Sequence, residues 1–552
     1  MGRAKQHKPR EIKPATVPTA VQEVEAATLQ GYLDKVERGE PLTAEELRAL
    51  RATIATTAFL TAELKRKRVS LKRLQNWLFG APTEKTDKVC PPTQAEPGGA
   101  EPASGAKAAG EPGPKPPKPK RKGHGRNPAS CYRGAEQIKV THAEFVSGDP
   151  CPNCPKGKVY PMAKPAVLVR VVGMSPLSAK VIELECYRCT CCDEVFKAEA
   201  PEGMGTEKYD ESASSMVGAL RYGLGTPFYR LEQYQAALGV PLPVGTQWKL
   251  VKRAADLLAP AFDYLITWVA QSDLIYNDDT VMKMLDRPDL MRNGKERKGV
   301  YTTGLVGKLG EHRVALFLTG MNHSGENLAE VLRRRREELA RPIQMCDALN
   351  ANTSGELKTI VAHCLVHARR RFVDVVDDFP EECRFLLESL KAVYINDAAT
   401  RDLSPSERLA LHKERSGPVM DKIWDWLREQ LDGHKVEPSS GLGDAIGYME
   451  KHWTRLTLFL REPGAPLDNN QAERILKRAI LHRKNSLFYR NMAGAHVGDV
   501  FMSLIHSAEL SKVSPFDYLI ALQRYHALVE ENPEEWLPWN YAETLAGLGL
   551  EA

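Results

Sequence analysis

LIYNDDT, residues Leu274 to Thr280, reads as a β-strand, and it opens a β-rich stretch on which the fold of this chain turns. GVYTTGLVG (Gly299 to Gly307), HRVALFLTG (His312 to Gly320) and RPIQMCDAL (Arg341 to Leu349) follow as three more strands. The segment ENLAEVLRRRREELA, between the third and the fourth, is predicted to be helical. Three strands in sequence, a helical crossover and then a parallel strand is an order compatible with a ribonuclease-H-like sheet. Acidic residues stand at two of the strand ends, as the Asp278-Asp279 pair and as Asp347.

Beyond VAHCLVHARRRFVDV (Val361 to Val375) a long helical pattern runs to about Leu458, and then comes LDNNQAERILKR, Leu467 to Arg478. An Asp-Asn-Asn run suits the N-terminal edge of a helix, because short side-chain oxygens accept the free amide protons of a first turn. A helix starting near Gln471 carries Glu473 in its first turn, followed by Arg474, Lys477, Arg478, His482, Arg483 and Lys484. One carboxylate within a dense basic surface suits a metal ligand held against a nucleic-acid backbone. The plainer reading is a capped surface helix with a Glu473–Lys477 pair, worth about 0.2–0.5 kcal/mol.

Carboxylates on two strands and one helix can converge at one edge of such a sheet. Phosphodiester cleavage calls for them, because its transition state gathers charge on oxygens. Two Mg²⁺ or Mn²⁺ ions about 3.5–4 Å apart activate the attacking oxygen and steady the leaving one. Hard oxygen donors suit those ions. Adjacent strand residues point to opposite faces, so Asp278 and Asp279 are not both expected as ligands, and spacing does not choose between them.

At 552 residues the chain is expected to hold about three or four domains. The N-terminal MGRAKQHKPREIKP has no apolar core, and no apolar run approaches the roughly 18 residues of a membrane span, so a cytoplasmic location is expected. A net charge of +5 is modest for this length, but basic residues cluster at Lys65 to Arg68, Lys120 to Lys122, Arg333 to Arg336 and Arg369 to Arg371. Short basic patches are the footprint of a protein that neutralises phosphates along an extended ligand. Arg333 to Arg336, followed by Glu337-Glu338, reads instead as a solvated helix face.

Residues 1–80 are predicted to be a helical, coiled-coil-like region, with a capping box at Thr43 to Glu46 and a narrow apolar stripe that a helical hairpin or self-association would cover. Residues 81–126 form a Pro/Gly-rich linker with a basic end. Of 11 cysteines, six fall between Cys151 and Cys192. Cys151 with Cys154 and Cys189 with Cys192 make two CxxC pairs, the spacing of a structural, ribbon-like zinc module over 127–201. Cys186 and Cys191 are alternatives for the second pair. Residues 202–271 are helical, either a helix-turn-helix presenting Gln247, Lys249 and Lys252 to a DNA groove or plain helix packing. The α/β core is expected over 272–382 and 461–510, split by a helical insertion at 383–460 and followed by a helical tail at 511–552, a multidomain α+β chain overall.

DNNQAERILKRAILHRKNSLF, the NDDT strand, CDAL, CLVHARRRF, the paired CxxC, LKRLQNWLFG and the closing EEWLPWNY resemble the corresponding segments of transposases of the insertion sequence 66 family. The resemblance implies a bacterial, nucleoid-associated DDE transposase with a ribonuclease-H-like domain. It selects Asp278, with Asp347 and Glu473, as the catalytic trio that holds two Mg²⁺ ions. It implies an enzyme that binds the terminal inverted repeats of a mobile element, hydrolyses its 3′ ends and joins them to target DNA, as a dimer and with small accessory proteins. Cys364-x-x-His367 matches a family motif expected to place Arg369 and Arg370 against DNA, alongside His367, Arg474, Lys477, Arg478, Arg483 and Lys484. The chain departs from the pattern where Ala348-Leu349 follow Asp347, and at Pro155 and Asp193 after the CxxC pairs. The rival expectations are an inactive zinc-containing DNA-binding regulator and a structure-specific nuclease.

Overall fold

A computed structural model describes residues 26–54, 86–89, 146–153, 157–162, 175–188, 195–201, 207–288, 290–292, 295–353 and 358–550. They fall into two units, residues 94–176 and the remainder of the chain. In the first, the Cys151 amide donates to Gly157 O (2.8 Å) and Pro150 bridges Lys158, which sets Cys151 on a small turn. Cys154, Cys189, Cys191 and Cys192 lie outside the described residues, as do the 55–80 part of the helical region and the 90–126 part of the linker.

In the second unit α1 (Ala26–Glu37) precedes a helix whose described residues are 44–54. The predicted capping box forms, Thr43 N donating to Glu46 Oε2 (2.8 Å) and Glu46 N to Thr43 Oγ1 (3.3 Å). A Lys35–Glu46 ion pair at 2.7 Å ties the two helices. A short α2 (Thr86–Val89) follows, then β1 (Cys186–Arg188) pairs antiparallel with β2 (Val195–Lys197), leaving Cys186 exposed.

Helices α3 (Glu211–Gly218), α4 (Phe228–Ala237) and α5 (Val244–Ala270) come next. Gln247 is fully buried and donates to Phe228 O (3.0 Å) and Leu242 O (2.9 Å), holding the α4–α5 turn together. It therefore faces no groove, and of the two readings of this segment plain helix packing holds for Gln247: an amide beside two orphan turn carbonyls is worth more satisfying them than in solvent. Lys249 and Lys252 are exposed.

The central sheet contains β3 (Leu274–Met282), β7 (Val300–Leu309), β8 (His312–Gly320), β9 (Ile343–Cys346) and β10 (Ile360–His363), in the order β10-β9-β3-β7-β8. Short strands β4 (Met284–Asp286), β5 (Leu290–Arg292) and β6 (Lys295–Arg297) interrupt the run from β3 to β7. β3, β7 and β8 are antiparallel neighbours, and α6 (Ser324–Leu332) crosses over to β9, which runs parallel to β3 and to β10. Four strands are where the sequence predicts them. The fifth, β10, is hidden inside VAHCLVHARRRF because its four residues run with a single break into α7 (Leu365–Val373), and periodicity cannot divide so short an apolar run.

A helical block follows: α8 (Pro380–Ala398), α9 (Pro405–Leu411), α10 (Gly417–Asp432) and α11 (Gly441–Leu456). Its apolar faces form one core with α7, β9 and β10, around Phe372, Leu386, Ile423 and Ile446. Then come α12 (Asn470–Ser486), β11 (Tyr489–Asn491), α13 (Met492–Leu510), α14 (Pro515–Arg524), α15 (His526–Glu531) and α16 (Tyr541–Leu548). They build a second core with α3, α5, β7 and β8, around Leu258, Leu265, Phe317, Phe501 and Trp536. The edge strand β8 is sealed by side chains of α13. Ser507 Oγ accepts from Ala315 N (3.1 Å), Ser503 Oγ from Phe317 N (2.9 Å) and Asp499 Oδ2 from Thr319 N (2.7 Å). Four helical residues advance about 6.0 Å and two strand residues about 6.8 Å, so every turn of α13 meets the next free amide of the edge. Among the described residues, no helix is long and apolar enough to cross a membrane.

Candidate functional site

Tyr276 lies opposite Met345 in the parallel β3–β9 pair. Asp347 follows Cys346, the last residue of β9, and lies close enough to Asp278 for its charge to act on that carboxyl. Asp278 is half-buried, and its Oδ1 accepts the amide of Asp279 at 2.8 Å. Burial above all, then the charge of Asp347, and further those of Asp279 and Glu473, push the Asp278 carboxyl up to about 7.

Asp279 projects to the opposite face. Its Oδ2 meets His323 Nδ1 (2.9 Å) and accepts the amide of Ser324 (3.2 Å), so it fixes the start of α6. Asn277, on that same side, donates to Ser324 Oγ (2.9 Å) and to Asn352 O (3.1 Å), and accepts from Gln344 (3.0 Å). Asn352 in turn bonds Asp347 Oδ1, which also accepts the amide of Leu349 at 3.1 Å. A buried amide network thus holds the Asp347 carboxylate. Sequence reading does not single out Asn352, although the NANT run just past a strand is the kind of segment whose side chains bond nearby backbone.

The third carboxylate arrives on α12, which begins at Asn470, one residue before its predicted start. The DNN run acts otherwise than as a simple cap. Asp468 Oδ1 accepts the Asn470 amide (3.1 Å), whereas Asn469, fully buried, donates its side chain to Asn277 O (3.1 Å) and its own amide to Cys364 Sγ (3.3 Å). Leu365 N also donates to Leu467 O (2.9 Å). The helix start is thereby pinned at once to β3 and to the start of α7, with Glu473 in its first turn.

Glu473 Oε1 stands 3.8 Å from His367 Nε2, and donor atoms of Cys364, His367 and Glu473 all lie within 4.8 Å of one another. Burial pushes the Cys364 thiol up to about 12, which keeps it a neutral acceptor for the Asn469 amide. His367 thus faces Glu473, which meets it rather than the Lys477 of the plainer reading.

The basic residues divide. Arg474, Lys477 and Lys484 are exposed along α12, as is Arg370 on α7. Arg478 pairs with Glu509 at 3.3 Å. Arg483 is turned onto β3, donating to Thr280 Oγ1 (3.2 Å) and to Val281 O, and Arg369 donates to Thr86 Oγ1 (3.3 Å). The run at Arg333 to Arg336 is tied to α5, Arg334 to Asp263 (2.7 Å) and Arg335 to the helix-terminal carbonyl of Ala270 (2.6 Å).

Among known proteins, the transposase IS66 family matches residues 208–497, a span that contains all three carboxylates. The uncharacterized protein y4jD of Sinorhizobium fredii is 28% identical over 391 residues, which cover 65% of this chain and 72% of that protein. The uncharacterized proteins y4hP and y4qI of the same organism are 24% and 22% identical, over 67% and 64% of this chain and 70% and 67% of their own lengths.

Proposed function

This chain belongs to the transposase IS66 family, and from that membership we propose a DDE transposase that binds the terminal inverted repeats of a mobile element, hydrolyses the phosphodiester at its 3′ ends and transfers the freed 3′-hydroxyl to target DNA. Asp278, Asp347 and Glu473 are the proposed catalytic residues. The observation that carries the reading is the gathering of three carboxylates: Asp278 in β3 feels the charges of Asp347, just past the end of its parallel neighbour β9, and of Glu473, in the first turn of a helix anchored to β3. The sheet order, three antiparallel strands followed by two parallel ones, supports a ribonuclease-H-like core.

The donor set fits a hard divalent cation: its atoms are carboxylate oxygens, and a cation would offset the repulsion that raises Asp278. The three carboxylates would hold two Mg²⁺ or Mn²⁺ ions, which supply charge stabilisation at the attacking and leaving oxygens when bound. The residues of the chain do the rest. Asn352 and Asn469 keep the carboxylates in place, and His367 stands against Glu473. Arg474, Lys477 and Lys484 attract the DNA backbone, with Arg370 and Arg478 beside them. One structural zinc on Cys151, Cys154, Cys189 and Cys192, a dimer on DNA and small accessory proteins complete the proposal, on the strength of cysteine spacing and family.

The test is a duplex carrying the end of the element, incubated with full-length protein and Mg²⁺. Nicking at the 3′ end is expected, lost in Asp278→Ala, Asp347→Ala and Glu473→Ala while end binding persists. A pre-cut end joined to target DNA distinguishes a transposase from a nuclease, and binding without any nicking would leave only a regulator.

A further inference from the structure

The far end of α12 is built against ordinary preference. Leu487 has φ 68° and ψ −45°, and the Phe488 amide donates to Ser486 O at 2.8 Å, so Leu487 is the central residue of a strained γ-turn. What forces the turn is visible on both sides. Leu487 N still completes the helix through Arg483 O (2.8 Å), and Arg221 grips Ser486 Oγ. Two residues later Tyr489 is already buried, stacked on His482 (5.0 Å between ring centres), with its amide on Lys283 O (2.9 Å). The reversal throws two apolar side chains outward: Leu487 is 64% exposed and Phe488 38%. Glycine would make this turn without strain, so the residue choice itself needs a reason.

The surroundings indicate one. Arg474, Lys477, Arg478, Leu481 and Lys484 are exposed at helical spacing along α12 and lead from the Glu473 turn to Leu487. An apolar pair at the end of a basic stripe is complementary to a polyanion whose interior is flat and apolar. We propose that Leu487 and Phe488 form a wedge that enters duplex DNA between stacked bases and unstacks one step. This rests on the reading of DNA as substrate and adds to it a contact with bases rather than phosphates. Fourteen residues of helix, from Glu473 to Leu487, advance about 21 Å, roughly six base steps at about 3.4 Å each, so the unstacked step lies several bases from the reacting phosphate.

The experiment uses the full-length protein and an element-end duplex with 2-aminopurine placed at successive positions. In wild type one position several steps from the cut is expected to brighten on binding, and Phe488→Ala or Leu487→Gly to abolish that signal. Phe488→Ala is expected to lower cleavage of the intact duplex about tenfold, the size of one base–aromatic stack. A duplex already mismatched at that step restores cleavage to both variants. Leu487→Gly relieves the backbone strain, so its thermal midpoint is expected to match or exceed that of wild type. Normal binding and cutting with no brightening anywhere overturns the wedge while leaving the DNA reading intact. No binding or cutting of any end-bearing duplex by wild type removes both. Unchanged cleavage by Phe488→Ala with a loss of self-association in DNA-free protein makes the patch a subunit contact and overturns the proposal.

Discussion

Asp278, at the middle of β3, and Asp499, on α13 beneath β8, are both carboxylates that burial drives upward, to about 7 and about 8. Their surroundings differ in kind. Asp499 is fully buried and accepts from Thr319 N and Thr319 Oγ1, both at 2.7 Å, as one rung of the ladder that seals the edge strand. Its partners pull it back toward ionisation, and no like charge contributes to its shift. Asp278 is only half-buried, yet its neighbours Asp347, Asp279 and Glu473 all push it further up. Burial alone marks architecture. Like charges held together by a scaffold of buried amides are what support the proposed cation site at Asp278.

The comparison is broken or sharpened most strongly by isosteric neutralisation. Asp278→Asn, Asp347→Asn and Glu473→Gln are expected to lower metal-dependent cleavage by about 10³-fold or more, the loss of several kcal/mol of transition-state stabilisation. Asp499→Asn, in protein of matched folded fraction, is expected to stay within several-fold of wild type. Equal losses at both places would erase the distinction. The scaffold comes next: Asn352→Ala and Asn469→Ala are expected to cost about 10²-fold in turnover through misplacement of the carboxylates, with DNA affinity retained. A pure affinity loss would show that these amides do not position the site.

The Asp499 side has its own signature, in stability against pH. Its folded value of about 8 lies above the ordinary carboxylate range, so the folded chain holds a proton that the unfolded chain releases near pH 4. Stability is therefore greatest below about pH 4 as far as this group is concerned. It falls as pH rises toward about 8, by about 1.4 kcal/mol for each pH unit at most and by a few kcal/mol in all. Asp499→Asn is expected to flatten that decline in thermal midpoints measured between pH 6 and pH 9, and an unchanged slope would count against a protonated Asp499. The smallest effects belong to the exposed basic stripe. Lys477→Ala and Arg474→Ala are each expected to lower the salt slope of DNA binding by about one without changing sequence preference.

Much of this arrangement is legible in one dimension. Four strands, the helical crossover, the capping box at Thr43 and Glu46 and the helix carrying Glu473 all declare themselves through local pattern, which side-chain alternation and capping chemistry impose on a chain before it folds. Local pattern fails where a residue's role depends on what is packed against it. Gln247 reads equally as a groove-facing or a packing side chain, and only the fold buries it across a turn; Asn469 reads as a cap and instead bonds a strand far away in the chain; β10 vanishes into the helix that follows it. The cysteines at 154, 189 and 192 lie outside the described residues, so the proposal of a zinc module rests on their spacing.

What the amino-acid order determined by itself is the kind of chemistry available: hard oxygen donors at strand ends, a carboxylate among basic residues, strands in an order that can make a mixed sheet. Only the tertiary structure decided which of these side chains come near one another. The parallel pairing of β3 with β9 brings Asp347, just past the end of β9, near Asp278, and the pleat sends Asp279 to the other face. Asn469 ties the Glu473 helix to that strand. The reason is physical: residue type is a local property, whereas proximity between positions far apart in the chain exists only once backbone pairing and buried hydrogen bonds have offset the entropy of bringing them together.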